Sequence, residues 1–108
     1  MRNSYQIYCD YVRAISKASQ LDRIARTLHG TKNRYVLEQV EELACSWQGD
    51  PIYILREKGD QIALCINDRA NELQRLAETI RTIAVRNYNA EMRALELARN
   101  RESGGGFR

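Results

Sequence analysis

Apolar residues recur at steps of three and four along the first half of the chain, and this spacing puts them on one face of a helix. The pattern predicts a helical first arm over residues 4–46. The residues that define it are Tyr8, Tyr11, Val12, Ile15, Ala18, Leu21, Ile24, Ala25, Leu28, Val36, Val40, Leu43 and Ala44.

One glycine interrupts this arm. Gly30 can end one helix and start another, with Thr31 as the N-cap, or it can be tolerated inside a single helix at a cost of about 1 kcal/mol relative to alanine. No second helix breaker lies nearby, so we favour a continuous or merely kinked helix.

The second arm is predicted over residues 51–100, with Asp50 as a candidate cap and Pro51 at the first helical position. Its apolar residues form columns at seven-residue intervals, and Gly59 is a weak point near its start. A strip of alanines beside large aliphatic residues lets another helix approach closely. The columns are Ile66, Leu73 and Ile80; Ile62, Leu76 and Ile83, broken by Arg69; and Ala63, Ala70, Ala77 and Ala84.

A turn over residues 47–50 between two such arms predicts an all-α, antiparallel two-helix hairpin. Residues 102–108 are expected to form a flexible, glycine-rich tail. The arms carry more apolar residues than one seam can bury, so we expect a dimer that forms a four-helix bundle. The candidate interface residues are Tyr8, Tyr11, Ile15, Ile66, Leu73, Leu76, Ile80 and Ile83.

Composition excludes several classes of protein. The net charge is +3, and charges of both signs are interleaved in each half, which argues against nucleic-acid binding. No apolar run approaches the ~20 residues that cross a bilayer, so no membrane insertion is expected. The N-terminus lacks the apolar segment of a signal peptide, so any export would follow another route.

Few residues of the chain are candidates for catalysis or for metal binding. The only histidine, His29, has no evident nucleophile or ligand to work with, so we expect no enzyme, no catalytic residues and no cofactor. The chain has three cysteines, Cys9, Cys45 and Cys65, and their spacing is not that of metal ligands. No two of them would meet in a hairpin that turns near residue 49, so no metal site is expected. We interpret them as small buried residues in a reducing compartment.

The residues around the predicted turn resemble a known family. Trp47-Gln48-Gly49 lies at the midpoint of the chain, and residues 73–84 resemble a second-helix core, with Tyr88 and Glu91 beyond it. This arrangement resembles the WXG-motif family, which is related to the early secreted antigen of mycobacteria. The resemblance covers nearly the whole chain.

The resemblance implies a substrate or partner subunit of a type VII secretion system. The implied partners are a second copy, another WXG-like hairpin, or the helical N-terminal domain of a larger effector, together with a secretion ATPase. The implied export signal combines Trp47 and Gly49 of one subunit with a tyrosine-acid motif of the other. In that motif the acid is the fourth residue after the tyrosine. Here Met92 is the fourth residue after Tyr88, and the acid, Glu91, comes one residue earlier.

Two functional hypotheses follow. In the first, the protein is secreted without a signal peptide, or it targets a larger effector for secretion. In the alternative, it is a cytosolic helical adaptor or chaperone that binds a partner protein and is not exported.

Overall fold

The computed structural model of the chain describes residues 2–46 and 50–105. Four helical elements follow one another: α1 (Ser4–Thr31), a π-helical segment that we call π1 (Lys32–Leu37), α2 (Glu38–Ser46) and α3 (Asp50–Gly105). No strand occurs among the described residues, so the prediction of an all-α chain is confirmed for them. None of the described helices is long and apolar enough to cross a membrane.

The beginning of α1 is fixed by a reciprocal capping box. The backbone N–H of Gln6 donates to Asn3 Oδ1 at 2.9 Å, and the backbone N–H of Asn3 donates to Gln6 Oε1 at 3.1 Å. Each side chain therefore satisfies a backbone donor that the first helical turn leaves free. The helix starts at Ser4, the residue at which the first arm was predicted to begin.

The helix does not break at Gly30, which lies inside α1. Thr31 has helical dihedral angles (φ −61°, ψ −45°), and its side chain makes no capping hydrogen bond. The helical path instead passes into π1 and then directly into α2. Of the two alternatives for Gly30, the uninterrupted first arm is therefore correct, with a six-residue change of helix type that the sequence pattern did not reveal.

The π-helical segment changes the spacing of the inward-facing positions. Residues 18, 25 and 32 follow a seven-residue spacing, whereas the next inward positions, 36, 40 and 44, are separated by four residues each. A π-helical turn closes its hydrogen bonds over five residues instead of four, so it holds more residues than an α-turn. The segment thereby keeps Val40 and Ala44 on the inward face.

The second arm is the single helix α3, which runs to Gly105 and so extends beyond the predicted end near residue 100. The residues of the expected tail from 102 to 105 belong to this helix, and residues 106–108 lie outside the described part. The side chains of Asp50 and Pro51 are also outside it, so the predicted cap remains a prediction.

The chain divides into two compact units. The first, which we call the terminal unit, comprises Met1–Ser19 and Ala77–Arg108, and the second, the central unit, is Gln20–Leu76. In the central unit, Lys32 Nζ donates to Asn67 Oδ1 at 3.3 Å, and Glu41 pairs with Arg56 at 3.6 Å. The partner's number falls as the first-arm number rises, so the two segments of this unit run antiparallel.

Alanine forms most of the buried core in both units. Ala18, Ala77 and Ala84 are buried in the terminal unit, and Ala25, Ala44, Ala63 and Ala70 in the central unit. Among the described residues, the only larger buried side chain is Ile7. The predicted alanine strip of α3 is therefore confirmed as part of the core. Each buried alanine side chain is a single methyl group, so its burial removes little apolar area from water.

Two of the three cysteines differ from their predicted environment. Cys45 and Cys65 are exposed and Cys9 is half-buried, and all three thiols are free. The prediction that they are small buried residues is therefore wrong for Cys45 and Cys65. Both lie on the outer surface of their helices, beside the buried Ala44 and two residues beyond the buried Ala63.

Gly59 marks a close approach of the two arms in the central unit. A Cβ atom built on Gly59 would lie 2.7 Å from Val40 Cγ2, which is too short for any real contact. Gly59 is buried, so the residue expected to weaken the second arm is in fact needed for packing against the first. Gly30, in contrast, has no atom within 4 Å of the position that a Cβ atom would take.

These two glycines provide a matched pair of substitutions. We expect Gly30→Ala to stabilise the protein by about 0.4–1 kcal/mol, because alanine restricts the unfolded chain and favours helix. Gly59→Ala should destabilise it by about 1–3 kcal/mol, because the methyl group overpacks against Val40. Urea unfolding followed by circular dichroism measures both, and Val40→Ala should relieve part of the Gly59→Ala loss. Equal stabilisation by the two alanines would contradict the close approach.

Candidate functional site

The turn motif lies in the link between α2, which ends at Ser46, and α3, which begins at Asp50. Trp47 and Gly49, the two predicted signal residues of the turn, are outside the described residues. Their role therefore stays a prediction.

The predicted C-terminal signal residues lie in the terminal unit, on α3. Tyr88 is half-buried, and its ring packs against Tyr11 of α1 with a centroid separation of 5.1 Å and an interplanar angle of 46°. Tilted aromatic pairs at this distance add favourable quadrupole interaction to the burial of area. Tyr88 therefore contributes to packing in the terminal unit.

Glu91 is also engaged with the N-terminal part of the chain. Arg2 forms an ion pair with Glu91 at 3.2 Å and a second, closer one with Asp10. The Glu91 side chain keeps 38% of its exposure and that of Arg2 45%, so solvent screens the pair, which contributes at most about 1 kcal/mol. Arg2 was not among the predicted site residues, and no periodic pattern includes it.

Tyr88 and Glu91 line a pocket of the terminal unit. Most of its lining is apolar, and its charged residues are Arg2, Asp10 and Glu91. Two predicted interface residues, Ile80 and Ile83, contribute to the lining. The other lining residues are Arg2, Ile7, Asp10, Tyr11, Ala14, Ala84, Asn87, Tyr88 and Glu91.

The aromatic residues at the start of α1 differ in exposure. Tyr11 is half-buried, whereas Tyr8 is 53% exposed and Tyr5 73% exposed. A side-chain hydrogen bond with Cys9, one turn further on, raises the pKa of Tyr5 above its ordinary value. Two of these three tyrosines thus present most of their rings to solvent.

None of the eight predicted interface residues is fully buried in the single chain. Tyr11, Ile15, Ile66, Leu73 and Ile80 are half-buried, and Tyr8, Leu76 and Ile83 are exposed. The structure thus leaves all of them with surface that a partner can cover.

The exposed members of this set on α3 belong to one seven-residue column, which we call the outer column. Six of its seven positions are apolar, and they are Leu55, Ile62, Leu76, Ile83, Ala90 and Leu97. The seventh, Arg69, has its charge compensated, because its Nη1 donates to both carboxylate oxygens of Glu72 at 2.9 Å. This hydrogen bonding raises the pKa of Arg69. The one charged position is therefore neutralised within its own helix.

His29, the single histidine, is half-buried in α1. Among the described residues, no group of three or more histidine, cysteine or acidic side chains is placed to hold a metal ion.

Comparison with known proteins identified no relatives. No protein-family model matches the chain, and neither a curated protein nor a solved structure matches it significantly.

Two substitutions of Tyr88 distinguish the contribution of its ring to stability from that of its hydroxyl group. We expect Tyr88→Ala to destabilise the protein by about 1–3 kcal/mol, because it removes the ring that contacts Tyr11. Tyr88→Phe retains the ring and should stay within about 0.5 kcal/mol of wild type. Thermal unfolding checks both values. A large loss of stability in Tyr88→Phe would show that the hydroxyl, and not the ring contact, is what the fold requires.

Proposed function

We propose that this protein is a non-enzymatic helical hairpin of the WXG type that binds a partner through the outer column of α3. It acts as a type VII secretion substrate or as the targeting partner of a larger secreted effector. The hairpin itself belongs to this proposal. It is supported by antiparallel contacts between the first arm and α3 in the central unit, and by the place of Trp47-Gln48-Gly49 between α2 and α3.

The outer column is the observation that carries the partner-binding part of the proposal. Ile62 is 52% exposed, and Leu76 and Ile83 are each 49% exposed. Beside them, Ile66, Leu73 and Ile80 remain half-buried next to the alanine core. A stripe of large aliphatic residues at coiled-coil spacing is typical of a helix that packs against further helices.

The contacts of Tyr88 and Glu91 bear on which part of the export signal this subunit supplies. Both side chains are already engaged by Tyr11 and Arg2. This supports the version of the proposal in which the chain contributes the Trp47 turn, and its partner contributes the tyrosine-acid motif. A secretion ATPase would then recognise the two halves together.

A second candidate is a cytosolic adaptor that is not exported. The exposed, free thiols of Cys45 and Cys65 favour it, because exposed thiols persist in a reducing compartment and oxidise in an extracellular one. The same outer column would then bind a partner inside the cell.

Two exposed aliphatic residues of α3 test the proposed interface. We expect Ile62→Asp, in the outer column, to convert the dimer or heterodimer to monomers, because it buries a charge in an apolar interface. Leu64→Asp is the matched control, since Leu64 is 63% exposed but its seven-residue column includes Glu57, Asn71 and Glu78. Sedimentation velocity measures the association. Dissociation by Leu64→Asp alone would place the interface on another face.

Export is tested at the turn. We expect Trp47→Ala to lower secretion of the protein or its partner while the dimer persists, because the aromatic face of the turn is lost but the outer column is not. Culture supernatant and cell lysate are compared for wild type and variant, with size exclusion as the check on assembly. Wild-type protein confined to the lysate together with its partners would favour the cytosolic adaptor.

A further inference from the structure

The charges of the first arm are segregated in the central unit, although they are balanced over the half-chain. Residues 23–34 carry four Lys/Arg and no acidic residue. Residues 35–46 carry three Glu and no basic residue. The division runs from basic to acidic along the consecutive elements α1, π1 and α2.

Six exposed positions place this division on a single face, which we call the charged stripe. They are Arg23, Arg26, Gly30, Arg34, Glu38 and Glu42. After the first step of three residues, every step is four residues. Steps of four would drift around a regular α-helix, but π1 takes up the extra residue between Lys32 and Leu37 and keeps the later positions in line.

The five charged side chains of the stripe are unpaired in the part of the chain that the structure describes. None of them forms an ion pair there, although Glu41 pairs with Arg56 and Arg69 pairs with Glu72 in the same unit. Both halves of the stripe, the basic and the acidic, therefore remain available to a surface outside the chain.

We propose that a second copy of this chain docks antiparallel along the charged stripe. A two-fold axis near residue 32 brings Arg23 opposite Glu42 of the second copy and Arg26 opposite its Glu38. The symmetry repeats both pairs, as an interface that uses the same patch on both subunits requires. The basic half of each copy thus faces the acidic half of the other.

Gly30 gives this arrangement its register. The same axis places Gly30 opposite Arg34 of the second copy, close to the centre of the contact. Gly30 is exposed, and no side chain approaches within 4 Å of the position where its Cβ would be. The gap receives the long Arg34 side chain, which would otherwise meet another side chain at the point of closest approach.

The proposed contact differs physically from the apolar interface of α3 and does not depend on the secretion assignment. Exposed ion pairs are individually weak and are screened by salt, so this association should weaken as ionic strength rises. An apolar interface does not weaken in this way. Salt dependence therefore separates the two.

The test reverses the sign of the charges in one half of the stripe at a time. One variant carries Arg23→Glu and Arg26→Glu, and the other carries Glu38→Lys and Glu42→Lys. Each alone should raise the dissociation constant of the salt-dependent step by about tenfold or more, because like charges then face each other. An equimolar mixture should regain association, since one stripe is now largely acidic and the other wholly basic. Sedimentation equilibrium at about 0.05 M and about 0.5 M NaCl, with one variant fluorescently labelled, measures each step.

Two controls make the result specific. Arg93→Glu with Arg99→Glu reverses two exposed charges outside the stripe and should leave association unchanged. Gly30→Phe should weaken association by filling the gap for Arg34, whereas Gln20→Phe, exposed on the same arm outside the stripe, should not. Circular dichroism verifies that every variant remains helical.

Three outcomes would overturn the proposal. Wild-type protein without any salt-dependent association would do so, as would failure of the mixed variants to associate. Weaker assembly of the Arg→Glu variant together with stronger assembly of the Glu→Lys variant would also overturn it, because both reversals should weaken a contact between two copies of the same stripe. Loss of salt-independent association in Ile62→Asp, with the salt-dependent step retained, would separate this interface from that of the outer column.

Discussion

The close contact between the arms, lined by alanine, is the constraint on which the rest of the molecule depends. Ala25, Ala63 and Ala70 are buried in the central unit, and Gly59 lies so near Val40 that a methyl group there has no room. Small residues permit this approach, but they bury little apolar area and so contribute little hydrophobic stabilisation. The larger aliphatic residues are pushed to the flanks, where they stay partly exposed. A chain built this way gains stability when another helix covers those flanks.

The π-helical segment reconciles two spacings in the first arm. Without it, the inward positions before residue 32 and after residue 36 would fall on different faces of one helix. A single widened turn keeps Val40 against Gly59 and, on the opposite face, keeps Arg34 in line with Glu38. The segment thus serves the core and the solvent-facing surface together. The segment ends three residues before Val40, the residue that contacts Gly59.

The spacing of apolar residues, in steps of three and four in the first arm and of seven in the second, was enough to predict the helices and the alanine core, because both follow from local spacing. This spacing did not predict π1, because one extra residue in a helical pattern cannot be distinguished from ordinary variation in sequence until the contacts of the helix before and after it are known. The Arg2 contacts with Asp10 and Glu91 were missed for a related reason, because the contact with Glu91 joins residues that are distant in sequence. The burial of Cys45 and Cys65 was predicted wrongly because a small apolar residue near a core position gives no periodic signal of its own.

The outer column and the charged stripe call for different kinds of partner. The outer column presents aliphatic side chains with one internally neutralised arginine, so any helical surface of matching shape satisfies it. The charged stripe presents basic and acidic halves in sequence, and only a surface with the reverse order satisfies it. A second copy in antiparallel orientation meets that condition without any further requirement, because a two-fold axis reverses the order. If both proposed interfaces form, an apolar surface that tolerates several helical partners and a charged one that selects the chain itself would allow one small protein to pair with others while its own copies stay in a defined register.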